Sequence, residues 1–241
     1  MIRVCSGWNI RGREQYGWDF LRTFDQHWPK SVQLQVWVEE PQDMPRRAYR
    51  SLWDIPGAVD FHDRHRAHPD VQGLAVKPCW KEGERRTGYS FRTDAYKFWK
   101  QILIPGATAR GMADGDILIW LDGDVVTTTD VSERRIEDLV GNHQVAFLGR
   151  EPQHSEIGFW AVRLDPQTRQ FLDDMADWYK SDRFMELPEW HSAFIWDAAR
   201  RPLHLRERNL CPPRARGHVF PLSPVGKFLN HLKGPRKGAI R

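Results

Sequence analysis

One five-residue run sets the middle of this chain: Ile117, Leu118, Ile119, Trp120 and Leu121 are apolar without a break, and Asp122, Gly123 and Asp124 follow at once. A run of that length, apolar at both alternating sets of positions, suits a central strand buried on both faces. Gly123 lets the backbone turn sharply where the strand runs out. In open α/β sheets ligands bind outside the carboxyl ends of central strands. Two carboxylates placed there are hard oxygen donors for a divalent cation, and a cation so held bridges readily to phosphate oxygens. The plain alternative is a strand followed by an ordinary Asp-Gly turn, but a turn has no use for both carboxylates.

The flanking sequence supports an α/β reading. Ile2 to Trp8 alternates well enough for a first strand, with Ser6, Gly7 and Asn9 supplying a loop. Trp18, Leu21, Phe24 and Trp28 recur at helical intervals from Tyr16 until Pro29 stops the pattern, and Val32 to Val38 alternates as a second strand. Strand, helix, strand is the opening of a parallel sheet. No GxGxxG follows the first strand, so a dinucleotide fingerprint is absent.

Five prolines interrupt the text from Glu39 to Gly88, and no element is placed there. His62, His65 and His68 stand three apart within it. On a helix they share roughly one face, and surface histidines of a charged helix are expected rather than a metal site. Tyr89 to Ile104 reads as an amphipathic helix with Phe91, Ala95, Phe98, Trp99 and Ile102 inward, ended by Pro105 and Gly106. Beyond the Asp122 strand come a helix from Val131 to Val140 capped from Thr127 to Asp130, and a strand at Val145 to Leu148. A strand at Glu156 to Leu164 follows, then a helix opened by Asp165 and Pro166 and running to about Lys180. Leu187 to His191 opens a last helix reaching Arg200.

At 241 residues the chain suits one domain. No stretch approaches the roughly 18 apolar residues of a membrane span, and the N-terminus lacks a signal pattern, so a cytoplasmic setting is expected. Cys5, Cys79 and Cys211 are odd in number and far apart, which indicates neither a disulfide framework nor a zinc site. The net charge of +4 gathers toward the C-terminus, as a footprint for nucleic acid or a pocket for a small polyanion.

Together these pieces resemble the nucleotide-sugar glycosyltransferases of the GT-A fold, single-domain α/β enzymes that hold a divalent cation with an Asp-x-Asp motif. The resemblance rests on the N-terminal strand and helix, the helix bearing Arg92 and Asp94, the strand ending in Asp122-Gly123-Asp124, and the stretch His231-Leu232-Lys233-Gly234-Pro235-Arg236-Lys237. The last resembles the C-terminal His-x-x-Gly-x-x-Lys of the retaining enzymes related to glycogenin and the bacterial galactosyltransferases. It lacks the Pro-Trp that usually follows. Ser155 to Val162 also resembles their Asn/Ser-x-Gly strand, with Glu156 in an unusual place.

What the resemblance implies is specific. The chain is one GT-A-like domain over 1–241, with 218–241 closing over the donor site. Asp122, Asp124 and His231 hold Mn²⁺ or Mg²⁺, with Asp124 central to catalysis, and Gly123, Gly234 and Lys237 serve the diphosphate. Ser6, Arg92 and Asp94 contact the nucleotide, a UDP-sugar above all, or its sugar. On the acceptor side, Trp190 and His191 suit stacking on and hydrogen bonding to a glycan or other hydroxyl acceptor. Glu189 or Asp197 suits a base if the enzyme inverts. If it retains, the leaving phosphate itself takes the proton.

Three other readings compete. Asp122-Gly123-Asp124 also fits the start of haloacid-dehalogenase-like phosphatases, whose later acidic pair should follow a strand, whereas Asp173 and Asp174 fall mid-helix. A sugar-phosphate nucleotidyltransferase needs a Gly-rich basic N-terminal loop that is not visible. A nucleic-acid-binding module needs aromatics interleaved with its basic cluster, and only Phe220 and Phe228 lie there.

Overall fold

The computed structural model describes residues 1–40 and 49–233. In chain order the elements are β1 (Ile2–Trp8), α1 (Ile10–Gly12), a π-turn Arg13–Gly17, α2 (Trp18–His27), β2 (Gln33–Val38), β3 (Tyr49–Ser51), α3 (Ala58–His65), α4 (Glu82–Thr87) and α5 (Ala95–Ala109). They continue with β4 (Ile117–Leu121), β5 (Val125–Thr127), α6 (Glu133–Val140), β6 (Val145–Leu148), β7 (Glu156–Arg163), α7 (Pro166–Lys180), α8 (Ser192–Arg200), β8 (Glu207–Asn209) and β9 (Leu229–His231). Seven strands form one sheet in the order β3-β2-β1-β4-β7-β6-β8, and β5 pairs with β9 in a separate ribbon. The sheet is mixed: β3, β2, β1 and β4 run parallel, while β7 is antiparallel to both β4 and β6.

The central strand behaves as its sequence demands. All five residues of β4 are buried. Leu118 and Trp120 enter one core with Trp99, Phe171 and Trp196, while Ile117, Ile119 and Leu121 enter a second core with Phe20, Phe24 and Ile136. Each such side chain contributes roughly 1.5–3 kcal/mol by leaving water, so two-sided burial fixes β4 at the middle of the sheet.

Several boundaries differ from the sequence reading. Ser6 and Gly7 belong to β1 rather than to a loop. The first helix begins at Ile10, because Asn9 Oδ1 accepts from the Gly12 N–H at 2.8 Å and caps it. Trp18 is then 47% exposed, and Phe20 takes its place in the buried stripe. Phe91 lies in a 3₁₀ turn before α5 and is also exposed. The α5 helix starts at Ala95, capped by Asp94, and runs through Pro105 to Ala109. Packing of Leu103, Ile104 and Pro105 into the core outweighs the lost backbone donor. Ser132, not Thr127 to Asp130, caps α6. In the stretch that the periodicity left blank, His65 is buried against Phe61 and its Nε2 meets Asp182 Oδ1 at 2.7 Å, so it is no surface histidine. His62 Nδ1 meets the Tyr96 hydroxyl at 2.9 Å, and His68 lies beyond the end of α3. Among the described residues no helix is long and apolar enough to cross a membrane.

Candidate active site

The sheet topology delivers three candidate ligands to one point. Asp122 leaves the end of β4, and its backbone N–H donates to Gly158 O of β7 at 3.0 Å. Gly123 turns the chain under Trp8 and Tyr16, where a Cβ would come within 2.9 Å of Trp8 Cε3 and 2.7 Å of Tyr16 Cε2. Asp124 follows and leads directly into β5. Because Val125 pairs with His231 in the β5–β9 ribbon, the C-terminal histidine is set beside the carboxylate that precedes Val125. His231 Nε2 lies 3.0 Å from Asp124 Oδ1 and 3.9 Å from Asp122 Oδ2. One ligand atom from each of the three residues falls within 4.8 Å of the others.

Neighbouring groups hold these atoms in place. Asp122 Oδ1 accepts from Gln101 Nε2 and from Trp120 Nε1, each at 2.8 Å. The Gln101 carbonyl in turn accepts from the Ser192 hydroxyl at the start of α8. His231 packs over Gly158, where a Cβ would stand only 2.7 Å from Nδ1. That Nδ1 faces the buried Glu156 Oε1 at 3.5 Å, and Glu156 Oε2 pairs with Lys233.

The electrostatics are those of crowded carboxylates gathered around one imidazole. Burial, then the charge of Asp124, raises Asp122 to about 7. Burial alone would lower His231, but the hydrogen bond and charge of Asp124, with Asp122 and Glu156, outweigh it and raise the imidazole instead. Burial likewise pushes Glu156 up, and His231 and Lys233 bring it below its ordinary value. A raised imidazole keeps its proton and shares it with Asp124, and a divalent cation held between the same three side chains would take that proton's place. Octahedral Mg²⁺ or Mn²⁺ sets adjacent ligand atoms about 3 Å apart; the His231–Asp124 separation of 3.0 Å matches this and the His231–Asp122 separation of 3.9 Å exceeds it.

The cluster opens into a bowl of about 1200 Å³, whose walls include Trp8, Tyr16, Asp94, Lys97, Gln101 and Lys233. Of the residues picked out by sequence, Asp94, Asp122, Gly123, Asp124 and His231 line it. Asp94 is tied down by the Lys97 N–H at 2.9 Å and the Tyr89 hydroxyl at 2.8 Å. Ser6 and Arg92 stand off the bowl: Ser6 is fully buried inside β1, and Arg92 reaches Glu189 and Glu84. Gly234 and Lys237 lie outside the described residues.

Glu189, His191 and Asp197 gather around the start of α8. Glu189 Oε2 is 2.9 Å from His191 Nε2, while Asp197 is buried, taking hydrogen bonds from Ser155 Oγ at 2.8 Å and Arg200 at 3.0 Å. Burial pushes Glu189 up, but hydrogen bonds from His154 and His191 and the charge of Arg92 hold it well below the usual carboxylate range. Sequence reasoning missed Tyr16, Gln101, Glu156 and His154. Only Glu156 carried a signal, as the odd residue beside the Gly158 strand.

With this geometry in place, comparison with solved structures is informative about architecture. The galactosyltransferase LgtC, solved in complex with donor and acceptor sugar analogues, superposes with a TM-score of 0.50 over 98% of this chain and 88% of its own, at 12% identity. The chain has the GT-A fold. A glycosyltransferase involved in glycosylation of the major capsid of PBCV-1 aligns with a TM-score of 0.47 at 11% identity, covering 98% of this chain and 96% of its own. Mouse xyloside xylosyltransferase 1 aligns with a TM-score of 0.46 at 8% identity, covering 87% and 85%. No protein-family model matches the sequence, and no curated protein matches it either.

Proposed function

We propose that this protein is a metal-dependent glycosyltransferase that moves a sugar from a nucleotide-diphosphate donor, a UDP-sugar above all, to a hydroxyl acceptor with retention. The observation carrying the reading is the meeting of Asp122, Asp124 and His231 at the carboxyl end of β4 in a GT-A fold. These three would hold Mn²⁺ or Mg²⁺, which when bound supplies charge neutralisation at the leaving diphosphate. Lys233, on the rim beside His231, adds a cationic contact, and Gly234 and Lys237 follow it in sequence as the remaining diphosphate contacts. Asp94 and Lys97 face the donor sugar across the bowl, and Tyr16 walls the site beside Gly123. Glu189 and His191 serve the acceptor. Retention fits a site in which the leaving phosphate accepts the acceptor's proton.

The phosphatase alternative is disfavoured by one feature: Asp173 and Asp174 sit mid-way along α7, with Asp174 accepting from Gln170 rather than facing Asp122.

A thermal-shift screen of nucleotides and nucleotide sugars, each with and without Mn²⁺, tests the proposal. Ligand at a hundredfold excess over Kd adds about 2.7 kcal/mol, which for a chain of this size raises Tm by roughly 5–10 °C. The rise should require metal and diphosphonucleotide together and vanish in Asp124→Ala and His231→Ala. A Tm indifferent to every pair overturns the assignment.

A further inference from the structure

A second set of metal-type ligands meets beside the bowl. Glu189 Oε2 lies 2.9 Å from His191 Nε2 and 3.4 Å from His154 Nε2, and the three ligand atoms all fall within 4.8 Å of one another. Ligand atoms around a tetrahedral zinc with bonds of about 2.0–2.2 Å stand about 3.4 Å apart.

The backbone prearranges this meeting. Glu189 and His191 flank Trp190, whose ring is buried and whose ring N–H donates to Leu187 O at 2.9 Å. The Trp190 backbone N–H donates to Arg92 O at 2.6 Å, and its carbonyl accepts from the Tyr179 hydroxyl. In an extended segment alternate side chains share a side, so anchoring Trp190 on one side sets Glu189 and the buried His191 together on the other. His154 arrives from the segment before β7, its carbonyl held by Arg150 Nε at 2.8 Å.

A carboxylate also stands behind the other ring nitrogen of His154. Its Nδ1 faces Asp197 Oδ2 at 3.9 Å. With Nε2 on a metal, Nδ1 carries the proton, and Asp197 takes the outer position that carboxylates occupy behind metal-bound histidines. Ser155 and Arg200 fix Asp197 there. The rings of Phe91 and Phe194 wall the cluster, with centroids 5.3 Å from His191 and 5.0 Å from His154. His154 remains 31% exposed, so one side stays open.

We propose that His154, Glu189 and His191 form a second site for a divalent transition metal, zinc by its donor set, distinct from the Asp122, Asp124 and His231 site and with a fourth position open to solvent. Two imidazoles and one carboxylate with an open position make a donor set of the catalytic zinc type. The site takes Glu189 and His191, placed on the acceptor side above, as metal ligands instead, and it stands apart from the glycosyl-transfer reading because neither its geometry nor its test uses a sugar nucleotide. Ser192, the residue after His191, hydrogen-bonds Gln101, which hydrogen-bonds Asp122 of the first site.

The test uses the untagged full chain, stripped with a chelator and titrated with Co²⁺, whose visible bands are intense only in tetrahedral-type surroundings. A single equivalent should develop the bands, and Zn²⁺ should displace it. His154→Ala and His191→Ala should each weaken binding by more than about 100-fold, beyond the roughly 10–100-fold that an outer partner costs. Asp124→Asn should keep the bands. Should His154→Ala lose its circular-dichroism signature of folding, His154→Gln preserves the size of the side chain and is read instead. Absence of bands in the wild type overturns the proposal and leaves His154 as an imidazolium between two carboxylates. Bands that survive both histidine substitutions, or that vanish only in Asp124→Asn, overturn it equally.

Discussion

The sharpest probe of the donor site is a residue that ligates nothing. Gly158 lies under His231, and a methyl group added there would stand 2.7 Å from Nδ1 and 2.8 Å from Cε1, where ordinary contact begins at 3.4 Å. The imidazole therefore has to withdraw by about 0.7 Å. Its escape is limited, because Phe220 is 3.2 Å from the same Cβ and packs on His231 with ring centroids 5.0 Å apart. Metal–ligand distances tolerate only about 0.2 Å, so Gly158→Ala should cost about 10–100-fold in Mn²⁺ affinity, or about 1.4–2.7 kcal/mol. Overpacking adds about 1–3 kcal/mol of lost stability. Isothermal titration of Mn²⁺ into folded protein measures the first quantity and chemical denaturation the second. Gly83 in α4 is the matched control: nothing lies within 4 Å of its Cβ position, so Gly83→Ala should leave metal binding unchanged and add up to about 1 kcal/mol of helix stability. Mn²⁺ affinity in Gly158→Ala within twofold of wild type would refute the placement of His231 as a ligand.

Other outcomes follow from the same contacts. Removing the amide that bridges Asp122 and Ser192 by Gln101→Ala frees the carboxylate to rotate; Mn²⁺ affinity measured by titration should drop about tenfold, and no change would show the bridge to be idle. Asp122 is raised to about 7, so Mn²⁺ has to displace a proton. Its affinity should fall about tenfold per unit below roughly pH 7 and level off above, and a flat profile between about pH 5.5 and 8 would contradict the burial argument. Without metal the sign for stability is opposite: the folded form holds the Asp122 proton more tightly than the unfolded chain. That stabilisation is complete at acid pH and disappears as pH rises through about 7. Asp197→Ala leaves the buried Arg200 with Glu207 as its carboxylate partner and strands the Ser155 hydroxyl, and should lower stability by about 1–3 kcal/mol in denaturant titrations. Activity lost by Asp197→Asn at full fold would instead speak for a catalytic base.

How much of this was readable in one dimension depends on how local the cause is. The β4 run reads directly because burial on both faces needs apolar residues at both alternating positions, and Ile117 to Leu121 has nothing else. The α7 helix reads as well, since its capping box at Asp165 and Thr168 lies within four residues. The helix through Pro105 does not, because its continuation is settled by contacts with α7, more than sixty residues away in sequence. His65 fails for the same reason: Asp182 and Phe184, which decide its burial, are invisible from a run of charged residues.

The candidate site divides along the same line. Asp122 and Asp124 stand two residues apart and their pairing is local. His231 is legible only as a motif more than a hundred residues away, and what brings it to Asp124 is the register of Val125 against His231 in the β5–β9 ribbon. That register would still fail without a glycine at 158, whose own position opposite Asp122 follows from the pairing of Leu121 with Phe159 between β4 and β7. The glycine gives the imidazole room, Glu156 two residues earlier faces its far nitrogen, and the Asp122 N–H bonds to the carbonyl of that same glycine. One antiparallel strand therefore positions both a carboxylate and an imidazole of the proposed donor site. A chain with Asp-x-Asp and a C-terminal histidine but no small residue at that point of β7 would carry the motif and lack the ligand geometry.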